Sequence, residues 1–356
     1  MSKRKNKKIL LILRHFYPFT RVSGVTSFTR ELLEELHSHN IDISVLCLKR
    51  KGEKDKYIYK GIKIYKYNQL NFLNFKKYIS QVDPTHMVFL SSISSGISTL
   101  LWWGLWAKFA KQIPTLFYQT TNFLILRRNP ILRKFFNRFC KIFVTSNSIK
   151  EDLAKVLDID STILYPGVNL DKMKNFRKER KYLKSIGFFG HVSYRKGTDV
   201  FIKQIDKFPC LKFYLIAGKS KAKEDEVLID KIRKIKASNL MYKGYIDNPL
   251  EEMSKCDLLV LPFRTGASVL GTAQSAIEAM AIGIPVIGTK NSALESLVEN
   301  GKNGFLVDSS EEITQKIKLL QKNEDLYNKL SEYSIKTIES KFNITKIADN
   351  IVKNLK

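Results

Sequence analysis

Two places in this 356-residue chain combine charge and glycine in a way that suits phosphate chemistry. The first is 190–197, GHVSYRKG, where Arg195 and Lys196 stand in a glycine-bounded loop after the apolar run 185–189. Cations there can neutralise a pyrophosphate, and the amides that open the following helix add oriented donors. The second is the stretch 258–308. It runs from an apolar strand to Pro262, a polar loop 265–272, a helix bearing Glu278, a Gly-Ile-Pro break and the strand 286–288. Gly271 and Thr272 offer a second set of backbone donors, and Glu278 can accept from two ribose hydroxyls. Its neighbours Ala276, Ile277, Ala279 and Met280 imply partial enclosure, and an enclosed carboxylate needs partners. Plain surface solvation is the competing explanation for each feature taken alone.

The elements needed to hold these residues are legible as alternating strands and helices. In the first half, strands are expected at 9–13, 43–48, 57–59, 62–67, 86–90, 115–118 and 142–145. Helices are expected at 25–37, 72–80 and 148–157, by the spacing of Phe28, Leu32, Leu33 and Leu36 and similar sets. Gly24 opens the first helix, where free amides can meet a phosphate or sugar. Gln119 begins a polar loop at a strand's carboxyl end, the usual place for α/β ligands. The pattern restarts after the Tyr165-Pro166-Gly167-Val168-Asn169 turn, with strands at 185–189, 211–217 and 240–243 and helices at 198–205, 226–236 and 249–255. Gly244-Tyr245 follows the last of these strands. Three helices, 313–320, 325–339 and 345–355, close the chain. The fold class is therefore α/β, with two Rossmann-like domains facing across a cleft. The expected boundaries are 1–168, 169–340 and a terminal helix, 341–356, that crosses back to the N-terminal domain.

Composition narrows the partners. There are 61 Lys and Arg against 34 Asp and Glu, a net charge of +27. Residues 56–150 hold 15 basic residues and a single acid, Asp83. Such a field attracts anions: phosphates, nucleic acid or an acidic membrane. A lysine-rich surface that is merely well solvated is the alternative. The four cysteines (Cys47, Cys140, Cys210, Cys256) form no CxxC, which argues against a zinc or disulfide framework and for a cytoplasmic setting. The apolar run after the basic N-terminus is too short for a signal peptide. Residues 87–107 carry no charge and include three tryptophans, long enough for a bilayer, but the serines within them and the breaks at Pro84 and Gly96 read as strand, loop and buried helix. In 131–143, Leu132, Phe135, Phe136, Phe139 and Phe143 share one helical face, with Arg133, Lys134, Arg138 and Lys141 elsewhere. That helix is either a core helix or one lying on an anionic membrane.

The motifs 277–287 (IEAMAIGIPVI), 303–307 (NGFLV), Phe16-Tyr17-Pro18 with Gly24, the 165–169 turn, Lys196-Gly197, Gly218 and Gly244-Tyr245 resemble, in order and spacing, those of family 4 glycosyltransferases. These are retaining, sugar-nucleotide-dependent enzymes of GT-B architecture. The resemblance implies that Lys196 binds the donor diphosphate, with Gly190, His191 and Arg195 beside it, and that Glu278 binds the donor ribose. It places Tyr245 and Ile246 near the base, Gly24 near the diphosphate and acceptor, and Gln119 near the reacting sugar. Three positions depart from the family pattern: His191 replaces an Arg, Gln119 a His, and Leu270 the first glutamate of a paired-glutamate motif.

The implied reaction is transfer of a sugar from a UDP- or GDP-sugar to a hydroxyl on a lipid-linked or saccharide acceptor, with retention, in surface polysaccharide or glycolipid assembly. No cofactor is expected, and because no Asp-x-Asp metal motif is assigned, no divalent metal either. The expected location is cytoplasmic, peripheral on the inner face of the membrane, whose anionic surface is a further partner. Nucleic acid is not an expected partner, since no recognisable binding motif accompanies the charge. A sugar-nucleotide epimerase or phosphorylase of the same fold, or an inactive family member, are the alternative readings.

Overall fold

The structure is a computed structural model. It describes residues 7–14, 16, 24–49, 52–67, 72–91, 103, 105–106, 113–119, 136–137, 139–219, 223–264 and 273–355. The chain divides into two compact units, Met1–Pro166 with Ile344–Lys356, and Gly167–Asn343.

The first unit is built on an eight-stranded sheet. Its strands are β1 (Lys8–Leu13), β2 (Asp42–Leu48), β3 (Lys56–Tyr59), β4 (Ile62–Tyr67), β5 (His86–Ser91), β6 (Thr115–Gln119), β7 (Lys141–Val144) and β8 (Thr162–Ile163), in the order β3-β4-β2-β1-β5-β6-β7-β8. Every neighbouring pair is parallel except the β3–β4 hairpin. Along β1, Ile9, Leu11 and Leu13 enter one core while Leu10 and Ile12 enter the other. A parallel strand covered on both faces must be apolar throughout, which is why KILLIL is continuous rather than alternating.

One face is covered by α1 (Gly24–Ser38) and, as expected, by the returning C-terminal helix, α12 (Ile344–Asn354). That helix contributes Ile344, Ile347, Ala348 and Ile351, a spacing that lays one stripe on the sheet. The other face packs under α2 (Phe72–Val82) and an aromatic cluster. There Trp106 stacks on Phe75 at 4.5 Å between ring centroids, and Phe117 meets Phe136 edge-on at 5.3 Å.

This cluster corrects the membrane-helix reading of 131–143. Phe136 and Phe139 are core residues on one face of the sheet, while Phe143 lies in β7 and enters the core on the opposite face. They do not form one outward stripe; Leu132 and Phe135 fall outside the described residues. Trp103 and Trp106 are likewise fully buried. Among the described residues, no helix is long and apolar enough to cross a membrane.

The second unit holds a six-stranded, wholly parallel sheet: β9 (Ser185–Val192), β10 (Lys212–Lys219), β11 (Leu240–Lys243), β12 (Leu258–Leu261), β13 (Val286–Thr289) and β14 (Gly304–Val307). The order β11-β10-β9-β12-β13-β14 is that of a doubly wound sheet, reversing direction between β9 and β12. Ligands of such sheets bind beyond the carboxyl ends of the strands at that reversal. The unit's entry and exit lie side by side, with the Val168 amide donating to the Phe342 carbonyl at 2.9 Å. Strand β9 runs three residues past its expected end, and the helix expected at 198–205 closes earlier, as Thr198–Ile202.

Candidate active site

The loops after β9 and β12 flank the reversal, and they are locked together. Residues 193–198 form a tight turn. The amides of Lys196 and Thr198 donate to the Ser193 carbonyl at 3.1 and 3.2 Å, that of Gly197 to Tyr194 at 3.0 Å, and that of Arg195 to the Ser193 hydroxyl at 3.1 Å. The amides of residues 195–198 are thus used inside the turn, and the positive charge of this loop comes from side chains. Gly197 has φ +69°, and a Cβ placed on it would stand 1.8 Å from the Pro262 carbonyl oxygen. Only glycine lets the turn rest on the end of β12 in this way.

That contact brings Phe263 under Lys196, whose ammonium lies 4.3 Å from the ring centroid. Such a contact is worth roughly 0.5–2 kcal/mol. Burial alone pushes the Lys196 pKa down to about 8, and among the described residues no carboxylate pairs with it. The nearby acid, Asp199, is taken up by Arg264. Both carboxylate oxygens accept from the Arg264 guanidinium at 2.6 Å, and the same guanidinium donates to the Tyr194 carbonyl. The Arg264 amide also donates to the Arg195 carbonyl at 3.0 Å. Asp199 accordingly raises the Arg264 pKa. Arg195 is exposed beside this clasp.

The other donor-side candidates gather on the same sheet. Gly190 and His191 are the exposed end of β9, in register with Ala217 and Gly218 of β10. Tyr245, after β11, is exposed, and its Cβ lies 3.6 Å from where a Cβ on Gly218 would be. Ile246 is half-buried. Glu278 is half-buried on α8 (Gln274–Ala281), the helix that follows β12, between buried Ile277 and Ala279. Gly271 and Thr272, with Leu270, fall outside the described residues.

Gln119 and Gly24 belong to the first unit, Gln119 as the last residue of β6 and Gly24 as the exposed first residue of α1. The chain's one Asp-x-Asp spelling, 158–160, lies just before β8 at the amino end of the strands, away from their carboxyl ends. Among the described residues no group of three or more His, Cys, Asp or Glu is placed to hold a metal.

Sequence reasoning passed over Phe263, Arg264, Asp199 and Gln274. The first two sit directly after a strand in a parallel sheet, and that position was the available signal. The role of Asp199 is set by a partner 65 residues away, which no local pattern records.

The profile described as "Glycosyl transferases group 1" matches residues 171–337, and that described as "Glycosyltransferase Family 4" matches 22–172. The chain belongs to the group 1 glycosyltransferases. Among relatives of this glycosyltransferase is the uncharacterized glycosyltransferase MJ1178 of Methanocaldococcus jannaschii, 28% identical over 216 residues, 58% of each chain. The capsular polysaccharide biosynthesis glycosyltransferase CapM of Staphylococcus aureus is 26% identical over 210 residues, 56% of this chain and 54% of CapM. The match thus spans little more than half the length of these relatives.

Solved structures match over almost the whole length. Anabaena Alr3699/HepE in complex with UDP gives a TM-score of 0.77 at 16% identity, covering 98% of this chain and 99% of that one. A glycosyltransferase from Rickettsia africae gives 0.78 at 17%, covering 99% and 98%. At these identities the likeness establishes the fold, which is GT-B.

Proposed function

We propose that this glycosyltransferase takes a sugar from a nucleoside-diphosphate donor and passes it to a hydroxyl acceptor with retention of configuration. The observation that carries the proposal is Lys196: a half-buried ammonium without a carboxylate partner among the described residues, at the sheet reversal where α/β ligands bind. A desolvated cation there is a standing demand for an anion. The departing diphosphate, whose charge grows as the bond to the sugar breaks, answers it best.

In this reading the acceptor oxygen bonds to the anomeric carbon on the face that the diphosphate leaves. The carbon–oxygen bond to the β-phosphate breaks, and the hydroxyl proton passes to the departing phosphate oxygen. Lys196 and Arg195 hold the leaving group, Glu278 the ribose, and Tyr245 with Ile246 the base. No divalent metal takes part, because these side chains supply the charge. The UDP complex of HepE, a protein of the same fold, supports a nucleotide donor. CapM, a capsular polysaccharide enzyme by name, supports a role in surface polysaccharide or glycolipid assembly. The basic field of 56–150 suits an anionic membrane surface and a lipid-linked acceptor, and so supports a cytoplasmic location, peripheral on the membrane's inner face.

The test is release of free nucleoside diphosphate from a panel of UDP- and GDP-sugars. Release that requires an added acceptor, and that persists in EDTA, supports the proposal. Conversion of the donor without acceptor points instead to an epimerase. Binding without turnover points to the inactive reading that Leu270 and Gln119 raise.

A further inference from the structure

Helix α8 begins at Gln274 without a side-chain cap; its N-cap residue is Ala273. Gln274 is only 8% exposed, and its amide nitrogen, Nε2, has no hydrogen-bond partner among the described residues. A buried amide donor left without an acceptor is a cost that native structures rarely carry without reason. Leucine of nearly the same volume would fill the position at no such cost.

Two features say what the missing acceptor is. Gln274 precedes Glu278 by four residues, so the two occupy one stripe of α8, and Glu278 is the ribose candidate. Gln274 is the first residue of α8, and side chains on a helix lean toward its amino terminus, which directs the carboxamide toward the start of the helix. The free amides and the positive end of the helix dipole are found there. A neutral donor set beside the positive end of a helix suits an anionic oxygen.

Resting on the donor-site reading above, we propose that Gln274 is a donor-binding residue whose Nε2 donates to a phosphate oxygen of the nucleoside diphosphate, on the α8 side of the group whose other side Lys196 holds. The side chain then reads the phosphate, not the base or the sugar.

The test measures binding of UDP, GDP and a UDP-sugar, and of uridine and guanosine, by calorimetry on the full chain and its Gln274→Leu, Gln274→Glu and Lys196→Ala variants, with thermal unfolding of the free proteins. The expected result is that Gln274→Leu weakens the diphosphate about tenfold, as loss of one charge-assisted hydrogen bond does, leaves the nucleoside unchanged, and unfolds at the same or a higher temperature. Gln274→Glu is expected to weaken the diphosphate more, by setting a carboxylate against the phosphate.

Equal diphosphate affinity in wild type and Gln274→Leu overturns the proposal. So does a parallel loss of nucleoside and diphosphate binding with a lower unfolding temperature, which marks a structural role. A loss seen with a UDP-sugar but not with UDP assigns Gln274 to the sugar and overturns the phosphate assignment. If wild type binds neither UDP nor GDP, the donor-site reading falls as well. If Lys196→Ala weakens binding and Gln274→Leu does not, only the Gln274 assignment falls.

Discussion

Arg264 holds both carboxylate oxygens of Asp199 at 2.6 Å, and this pairing leaves Lys196 without a carboxylate partner among the described residues. Asp199 stands three residues from Lys196, in the first turn of the helix that follows the loop. With Arg264 removed, its carboxylate becomes available to neutralise the ammonium and to repel a phosphate. Arg264→Ala is therefore expected to weaken nucleoside-diphosphate binding about tenfold. Arg264→Lys is expected to rescue it only in part, since an ammonium cannot make the two-pronged contact. Double substitution with Asp199→Asn should recover part of the loss, and a calorimetric cycle over the four proteins measures the coupling.

The seat of the loop depends on Gly197. At φ +69°, with the Pro262 carbonyl 1.8 Å from any added Cβ, alanine must push the β9 and β12 loops apart. Gly197→Ala is expected to cost about 2 kcal/mol or more in stability and to lose donor binding, read by denaturant unfolding and by ligand-induced thermal shift.

The depressed pKa of Lys196 gives a pH signature of definite sign. Burial lowers it from 10.5 to about 8, so between these values the unfolded chain binds a proton that the folded chain does not. The free protein therefore gains stability from this group as pH rises from about 8 toward 10.5, and Lys196→Ala removes that gain. A bound diphosphate has the opposite preference, because it favours the charged ammonium. Donor affinity should be flat below pH 8 and fall by up to about tenfold per pH unit above it. Proton uptake should accompany binding near pH 8, visible as a dependence of the heat of binding on the buffer's ionisation enthalpy.

Much of this was legible in the sequence, for identifiable reasons. Apart from the β3–β4 hairpin the strands of both sheets are parallel, and the central ones are covered on both faces, so they appear as unbroken apolar runs such as those in β1 and β12. Gly197 and Lys196 stood out because a glycine-bounded basic loop after a strand has few physical uses. Two kinds of feature did not show. The two-residue β8 carries no periodicity. The partnering of Arg264 with Asp199 and the burial of Gln274 depend on loops brought together from distant parts of the chain. The aromatic residues of 131–143 misled for the same reason: Phe136 and Phe143 are both apolar and seven apart, yet the chain changes from helix to strand between them, and they face opposite sides of the sheet.

The central claim is that Lys196 holds the donor diphosphate, and the most direct measurement is titration of wild type and Lys196→Ala with UDP and GDP. The account expects wild type to bind one of them and Lys196→Ala to bind it some tenfold to a hundredfold more weakly, with the free variant at least as stable as wild type because a desolvated ammonium has been removed. Equal affinity in the two proteins, or no binding of either nucleotide by wild type, would contradict it.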